Sequence, residues 1–428
     1  MKTIADLQVH SKYSRATSKD LDIQNLEKYA KIKGINLLGT GDITHPGWLK
    51  ELKAGLREDG TGILKSESGF NFVLQGEISN IYTQDGKARR IHNLLLAKNF
   101  DVVQQIQDAL KKKGRIDYDG RPIFGFNCIE LVEMMKKIDD KIEIIPAHVW
   151  TPWYSLFGSM SGFDSVEECF KDQAKHIHAI ETGLSSDPAM NWRLSQLDKY
   201  TLVSSSDAHS FWPWRIGREA NVFDIEPTYD SLINSIRTKK GFLYTIEVDP
   251  NYGKYHLDGH RACNICMEPQ ESLKNKNICP KCKSKLTIGV LHRIEQLADR
   301  PEGYKPKGAI PFKSLIPLSE ILASLLNSGV ASKKVFSEYY KLIKIFETEL
   351  NILLVAKKED LAKAADEKIA NAIIAVREGK IKIKPGYDGV YGHPIFENEP
   401  GEIKESGIKE SRAKKSKETR QQGLSNFF

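Results

Sequence analysis

Short apolar runs recur along the first half of this chain, and most of them end in a histidine or an acid. Residues 4–9 run into His10, and 37–41 into Asp42 and His45. Residues 72–76 end at Glu77, 144–147 at His148, 179–180 at Glu181, and 202–206 at Asp207 and His209. Between the runs lie stretches with helical spacing, such as Leu26-x-x-Tyr29-Ala30, which Gly34 suits as a C-terminal cap. Strands alternating with helices, with acids and imidazoles at the strand ends, are how a (β/α) barrel builds a site at its carboxyl face. That mix of side chains is a ligand set for two or three divalent metals, and it points to a metallohydrolase.

With 428 residues the chain suits two or three domains and can bury a sizeable core. No run reaches the ~18–20 apolar residues needed to cross a bilayer, so no membrane association is expected. The chain starts directly in a strand without the apolar stretch of a secretory signal, which predicts a cytoplasmic protein. Four of the six cysteines stand in two tight pairs, a spacing for metal in a reducing compartment and not for a disulfide framework. The net charge of +7 allows a polyanionic partner without demanding one. Nothing calls for an oligomer, and a monomer is expected.

Composition divides the chain into four zones. Residues 1–247 carry the strand–helix alternation. Residues 248–295 are short on helix signal and hold the paired cysteines. Residues 296–396 turn mainly helical: Val335, Tyr339, Leu342 and Phe346 recur at three- and four-residue steps behind Ser332 as N-cap, and a second helix is expected over 359–377. Residues 397–428 lose apolar content until the last few, and within 401–428 seven Lys or Arg stand against four Glu, a local +3, as in a flexible basic tail.

Cys263-x-x-Cys266, twelve residues, then Cys279-x-x-Cys282 form two knuckles whose four thiolates fit one tetrahedral structural zinc, a zinc ribbon. Lys274, Lys276, Lys281, Lys283 and Lys285 surround it, as DNA contacts or as a solvated loop. At the other end, Gln421-x-x-Leu424-x-x-Phe427-Phe428 is the pattern of a PCNA-type sliding-clamp-binding peptide: the glutamine fills a polar pocket, and one helical turn joins Leu424, Phe427 and Phe428 into an apolar plug.

Asp6-Leu7-Gln8-Val9-His10, Gly41-Asp42-Ile43-Thr44-His45-Pro46, Gly76-Glu77, His92, Ala147-His148 and Ser206-Asp207-Ala208-His209 together resemble the polymerase-and-histidinol-phosphatase (PHP) superfamily. The resemblance implies an α/β fold, a distorted seven-stranded (β/α) barrel, with a metal cluster at the strand ends that hydrolyses phosphoesters. His92 precedes its apolar run, 94–96, instead of following it. The chain also departs from the superfamily's Asp-x-His-x-His, carrying Gln8 in place of a histidine. An amide carbonyl is a weaker, harder ligand than imidazole and favours magnesium or manganese over zinc there.

Barrel, ribbon, helical C-terminal module and clamp peptide together resemble the endonuclease Q family of archaeal DNA repair nucleases, as do Ser14-Arg15-Ala16-Thr17-Ser18-Lys19 and Pro385-Gly386-Tyr387-Asp388-Gly389. This resemblance implies damaged DNA as substrate, cut on the 5′ side of a deaminated base or an abasic site. The expected ligands are His10, Asp42, His45, Glu77, His92, His148, Asp207 and His209, with Gln8 at an altered subsite. Glu77 and Asp207 carry catalysis through the metals, and Asp6 orients His10. Arg15 either clamps a phosphate oxygen or is a surface arginine. Reading a flipped base needs a pocket, for which the segment Glu181-Thr182-Gly183-Leu184-Ser185-Ser186 is the candidate. The aromatic clusters 150–154 and 211–215 can stack on bases, but packing on the barrel is the expected role for most of them. Two other classes stay open: a phosphatase of a small phosphate ester, and a non-catalytic clamp-bound scaffold.

Overall fold

The computed structural model describes residues 2–396; the clamp motif lies outside them. The barrel half runs β1 (Lys2–Asp6), α1 (Ile23–Lys33), β2 (Leu37–Gly39), α2 (Pro46–Gly55), β3 (Leu64–Lys65), β4 (Asn71–Gln84), β5 (Lys87–Ala97) and α3 (Phe100–Lys111). It continues through β6 (Ile123–Phe124), α4 (Cys128–Ile138), β7 (Glu143–Pro146), α5 (Val166–Phe170), β8 (Ala179–Glu181), α6 (Pro188–Asn191), β9 (Thr201–Val203), β10 (Ala220–Asp224), α7 (Tyr229–Thr238) and β11 (Phe242–Val248). Local signals set these elements. Asp22 caps α1 by accepting from the Asn25 amide, and Gly34, at φ 100°, ends it in the left-handed conformation its position predicts.

The main sheet has ten strands, with path β11–β10–β1–β2–β4–β5–β7 through its centre; β8 and β9 pair separately and in parallel. This curled sheet is the expected distorted barrel. Successive residues of one strand feed different clusters, as a period of two requires. Leu37, Val73, Leu94, Ile145, Ala179 and Val203 pack together with α7 residues Tyr229, Leu232 and Ile236. Their neighbours Leu38, Leu74, Leu95, Ile144 and Ile180 join the larger cluster that includes the surrounding helices.

Several pairings are antiparallel. β4 and β5 form one long hairpin in which Ser79 faces His92 and Glu77 faces Leu94. This reversal explains why His92 precedes its apolar run. On a strand that runs back from the site, the first half lies near the ligands and the later half enters the core.

Beyond the barrel come β12 (Asp258–His260), β13 (Ile265–Met267), α8 (Pro269–Lys274), α9 (Val290–Leu297) and β14 (Phe312–Leu315). β14 pairs in parallel with β11, at the edge of the main sheet. Then follow α10 (Leu318–Leu325), α11 (Lys333–Phe346), α12 (Glu349–Leu354), α13 (Lys358–Ala364), α14 (Glu367–Arg377), β15 (Lys382–Lys384) and β16 (His393–Ile395). Ser332 caps α11 as expected, accepting from the Val335 amide. The single helix expected over 359–377 is instead two. Ala365 takes an extended conformation, and Asp366 caps a new helix by accepting from the Lys368 amide at 2.8 Å.

The C-terminal helices dock on the barrel through an aromatic patch and a buried ion pair. Phe336 of α11 packs on Trp212 and Trp214. Glu349 accepts from the Lys33 ammonium at 2.7 Å, the Leu318 amide at 2.9 Å and the Tyr339 hydroxyl at 2.7 Å, and both charged side chains are almost fully buried. Glu349→Ala leaves Lys33 charged and unpartnered, and a loss of about 3–5 kcal/mol is expected in chemical denaturation. The double variant Lys33→Met/Glu349→Leu should regain most of it. Equal stability of wild type and Glu349→Ala would show that the pair does not hold the helices to the barrel.

Candidate active site

The strand ends gather two groups of side chains whose ligand atoms lie within 4.8 Å of one another: His10, Asp207 and His209, and Glu77, His92 and His148. His10 joins them, its Nε2 3.1 Å from Asp207 Oδ1 and 3.2 Å from Glu77 Oε2. His92 Nδ1 lies 2.7 Å from Glu77 Oε1 and 3.3 Å from His148 Nε2. Backbone conformation aims several of these groups. Asp42 (φ 46°), His148 (φ 32°) and Asp207 (φ 47°) all sit in the left-handed region that non-glycine residues avoid. Each follows a strand directly or within a few residues, where the chain must turn sharply to point a side chain inward. Strain held at three neighbouring positions is a mark of a functional site.

Charge is crowded here. Burial works against a protonated His10, but Asp207, Asp42 and Glu77 outweigh it and raise its pKa well above the usual value. Glu77 is pushed the other way: against its burial, Arg121 and His92 hold its carboxyl well below the usual range. Burial, with His10 and Arg121 nearby, brings His209 down to about 4, and burial with Arg121 brings His92 to about 3. Those two imidazoles are thus neutral with lone pairs available, the form that binds metal.

Other expected ligands stand apart from both groups. Asp42 accepts from the Ser11 amide (2.7 Å), the Ser11 hydroxyl (2.6 Å) and the Ser14 hydroxyl (2.9 Å), and its Oδ1 lies 3.1 Å from His10 Nδ1. It orients His10, the role expected of Asp6. Asp6 instead holds Ser206 and the Gly217 amide. Its strand ends there, so the alternation that would align residues 6, 8 and 10 is lost. His45 caps α2, its Nδ1 accepting from the Gly47 and Trp48 amides, and stacks on Tyr13. Gln8 is fully buried, and neither its amide oxygen nor its nitrogen has a hydrogen-bond partner among the described residues. Arg15 is exposed and paired with Asp119 at 3.2 Å.

The loop 117–122 was not singled out by the sequence. Gly120 passes so close over Asp42 that a Cβ would lie 2.2 Å from its Oδ2, and Arg121 reaches Glu77 Oε2 at 3.3 Å. The only cue was its Asp117-Tyr118-Asp119-Gly120-Arg121-Pro122 composition, which reads equally well as a plain turn.

Glu181 accepts from the His148 amide at 2.7 Å, and burial pushes its pKa up to about 8. Thr182 bonds Val203 and Glu247, Gly183 lies against His148, and Ser186 bonds the Thr182 carbonyl. Ser185 is buried, leaving Leu184 as the partly exposed member of this segment. Trp150 is buried and donates to Asn191, while Trp212 stacks on Trp214, so these aromatics pack as expected. Tyr154 lies against the His92 ring.

In the ribbon region the converging set is His260, Cys263, Cys279 and Cys282, with His260 Nδ1 3.3 Å from Cys282 Sγ. Cys266, expected as the fourth ligand, is exposed and outside it. The pairing gives the reason: Ile265 stands opposite His260 and Cys266 opposite Gly259, so Cys266 points to the other face of the hairpin. The spacing of two CxxC knuckles concealed a histidine three residues upstream of the first. Elemental analysis should find wild-type metal in Cys266→Ser and loss of one equivalent in His260→Ala; the reverse pattern would restore Cys266 as the ligand.

A family described as the MJ0043 C-terminal domain matches residues 317–380. The chain is 34% identical over 253 residues to protein MJ0043 of Methanocaldococcus jannaschii, covering 58% of this chain and about a third (31%) of that longer protein's length. It is 31% identical to Bacillus subtilis YqxK over 91% of this chain and 98% of that one. The fold matches the crystal structure of the lesion-specific endonuclease PfuEndoQ from Pyrococcus furiosus, with a TM-score of 0.82, 33% identity and coverage of 92% and 95%. It also matches endonuclease Q in complex with a 27-mer duplex carrying an abasic lesion, with a TM-score of 0.85, 33% identity and coverage of 96% and 100%. Fold and site define a metal-dependent hydrolase of the nuclease class. The chain belongs to the endonuclease Q family.

Proposed function

We propose that this protein is a DNA repair endonuclease that hydrolyses the phosphodiester on the 5′ side of a deaminated base (uracil, hypoxanthine or xanthine) or an abasic site. It leaves a 3′-hydroxyl and a 5′-phosphate, and a PCNA-type sliding clamp recruits it through Gln421, Leu424, Phe427 and Phe428. The observation that carries this reading is the meeting of the two ligand groups at His10, in a chain whose relative of similar length has been captured on an abasic duplex.

The donors suit divalent metal. Glu77 Oε1 lies 2.7 Å from His92 Nδ1 and 3.5 Å from His148 Nε2, so these ligand atoms converge as they would around an ion. His10, Asp207 and His209 would hold one ion and Glu77, His92 and His148 another, with zinc, magnesium or manganese as candidates. Metals bound there lower the pKa of a water and neutralise charge on the scissile phosphate.

The chain's own residues do the remaining work. Asp42 fixes the His10 ring so that Nε2 faces both carboxylates. Arg121 brings a fixed positive charge to the mouth of the site, and Arg15, on its exposed side, is free to exchange Asp119 for a phosphate oxygen. Gln8, buried and unpartnered among the described residues, supplies an amide where the superfamily has imidazole, and this makes the adjoining subsite the weaker one.

A duplex carrying one uracil, hypoxanthine or abasic site should be cut one bond 5′ of the lesion, and undamaged duplex should resist. Asp207→Asn should keep the fold and DNA affinity while losing at least a hundredfold in rate, since removing a charged ligand forfeits several kcal/mol of transition-state stabilisation. Hydrolysis of p-nitrophenyl phosphate with every lesion duplex left whole would establish a small-ester phosphatase instead.

Removing residues 421–428 should abolish clamp binding in calorimetry and leave cleavage of a short oligonucleotide intact. Undiminished clamp affinity in the truncated protein would move the binding site elsewhere.

A further inference from the structure

The two cysteines outside the ribbon, Cys128 and Cys169, are both fully buried. The sequence sets them 41 positions apart, but the fold packs α4 against α5 and brings the two thiols close enough to interact. Cys128 is the first residue of α4, an eleven-residue helix, where the amide dipoles favour negative charge. Its sulfur accepts from Asn93 Nδ2 at 3.4 Å, and Tyr82 Oη lies 3.8 Å from Cys169 Sγ. Asn93 thus donates to the Cys128 sulfur, and the Tyr82 hydroxyl and the Cys169 thiol lie beside it. Burial pushes the Cys128 pKa up, but these neighbours outweigh it and leave it below the usual thiol value; burial and the neighbouring Cys128 push Cys169 well above. Neither thiol is used in the proposed cleavage, and neither packs as an isolated small hydrophobe.

We infer that Cys128 and Cys169 are a peroxide-reactive thiol pair, in which Cys128 is oxidised first and Cys169 resolves it to a disulfide joining α4 to α5. The Cys128 sulfur attacks hydrogen peroxide, the O–O bond breaks, and a sulfenic acid and one water result. The Cys169 sulfur then displaces the sulfenic hydroxyl, its own proton leaving with that group as a second water. Two thiols and one peroxide give one disulfide and two waters, so atoms and electrons balance. Peroxide is small enough to arrive through local opening of the five-residue α5, which a larger disulfide reagent could not enter as readily. The bond closes a loop of about 40 residues and ties a short helix to a long one, so the oxidised protein should melt a few degrees higher. Asn93, whose Nδ2 bonds both Cys128 and Asn80 Oδ1, lies beside the candidate ligand His92 and would register the change.

The test is peptide mapping of the full-length, metal-loaded protein after graded hydrogen peroxide, with alkylation under denaturing conditions. The expected result is a linked peptide pair containing Cys128 and Cys169, lighter by two hydrogens and restored by dithiothreitol. In Cys169→Ser, Cys128 should stop at the sulfenic acid and be trapped by dimedone. Met160, 55% exposed, reports the dose. If both thiols remain fully alkylatable at a dose that oxidises Met160, the inference fails, and this wild-type result decides the matter even if the serine variant does not fold.

Discussion

Asp6 accepts hydrogen bonds from the Ser206 amide (3.0 Å), the Ser206 hydroxyl (2.5 Å) and the Gly217 amide (2.9 Å), all from the far end of the barrel sequence. Much else follows from this contact. Among the described residues β8 and β9 pair only with each other, so the sheet does not close by a continuous ladder of hydrogen bonds. A buried carboxylate on the first strand, together with the His10 amide donating to the Ala208 carbonyl at 3.0 Å, does what a ladder would otherwise do. It fixes the segment that carries Asp207 and His209 against the one that leads to His10. Arg218 reinforces the hold by donating twice to the Ser206 carbonyl.

The site beyond this clasp is a problem in crowding. Imidazoles and carboxylates stand within a few ångströms of one another with little solvent between them. Such a collection would repel or protonate itself unless each member had a fixed counterpart. Asp42 serves His10 and Arg121 serves Glu77, whereas the His148 amide does not offset the burial of Glu181, whose pKa stays raised at about 8. These contacts in turn hold the left-handed backbone at Asp42, His148 and Asp207.

The sequence made the barrel legible because its strands end in ionisable residues, a pattern that core packing alone has no reason to produce. The same pattern could not separate a ligand from its support. Asp42 and His45 share one motif, yet one orients His10 and the other caps a helix, because the turn after β2 sends their side chains in different directions. Arg121 and Gly120 were illegible, since their importance depends on a loop crossing to the site from the region between α3 and β6. Likewise, cysteine spacing identified a metal-binding hairpin but not its face, and His260 became visible only through the register of β12 and β13. The break between α13 and α14 turns on one aspartate whose helix-capping power competed with good helix formers on both sides.

The ion pair between Lys33 and Glu349 spans 316 residues of chain. Gly217 lies against the Lys33 side chain, with no room for a methyl group between them, so the lysine is enclosed by the barrel itself. During synthesis, the ribosome therefore completes every barrel strand long before the anion for this buried cation exists. Until residues near 349 emerge, a nascent barrel can seat α1 loosely, keep Lys33 turned toward water or bury it as the neutral amine. The C-terminal helices thus supply the charge that the barrel's own lysine lacks until the chain has passed Glu349.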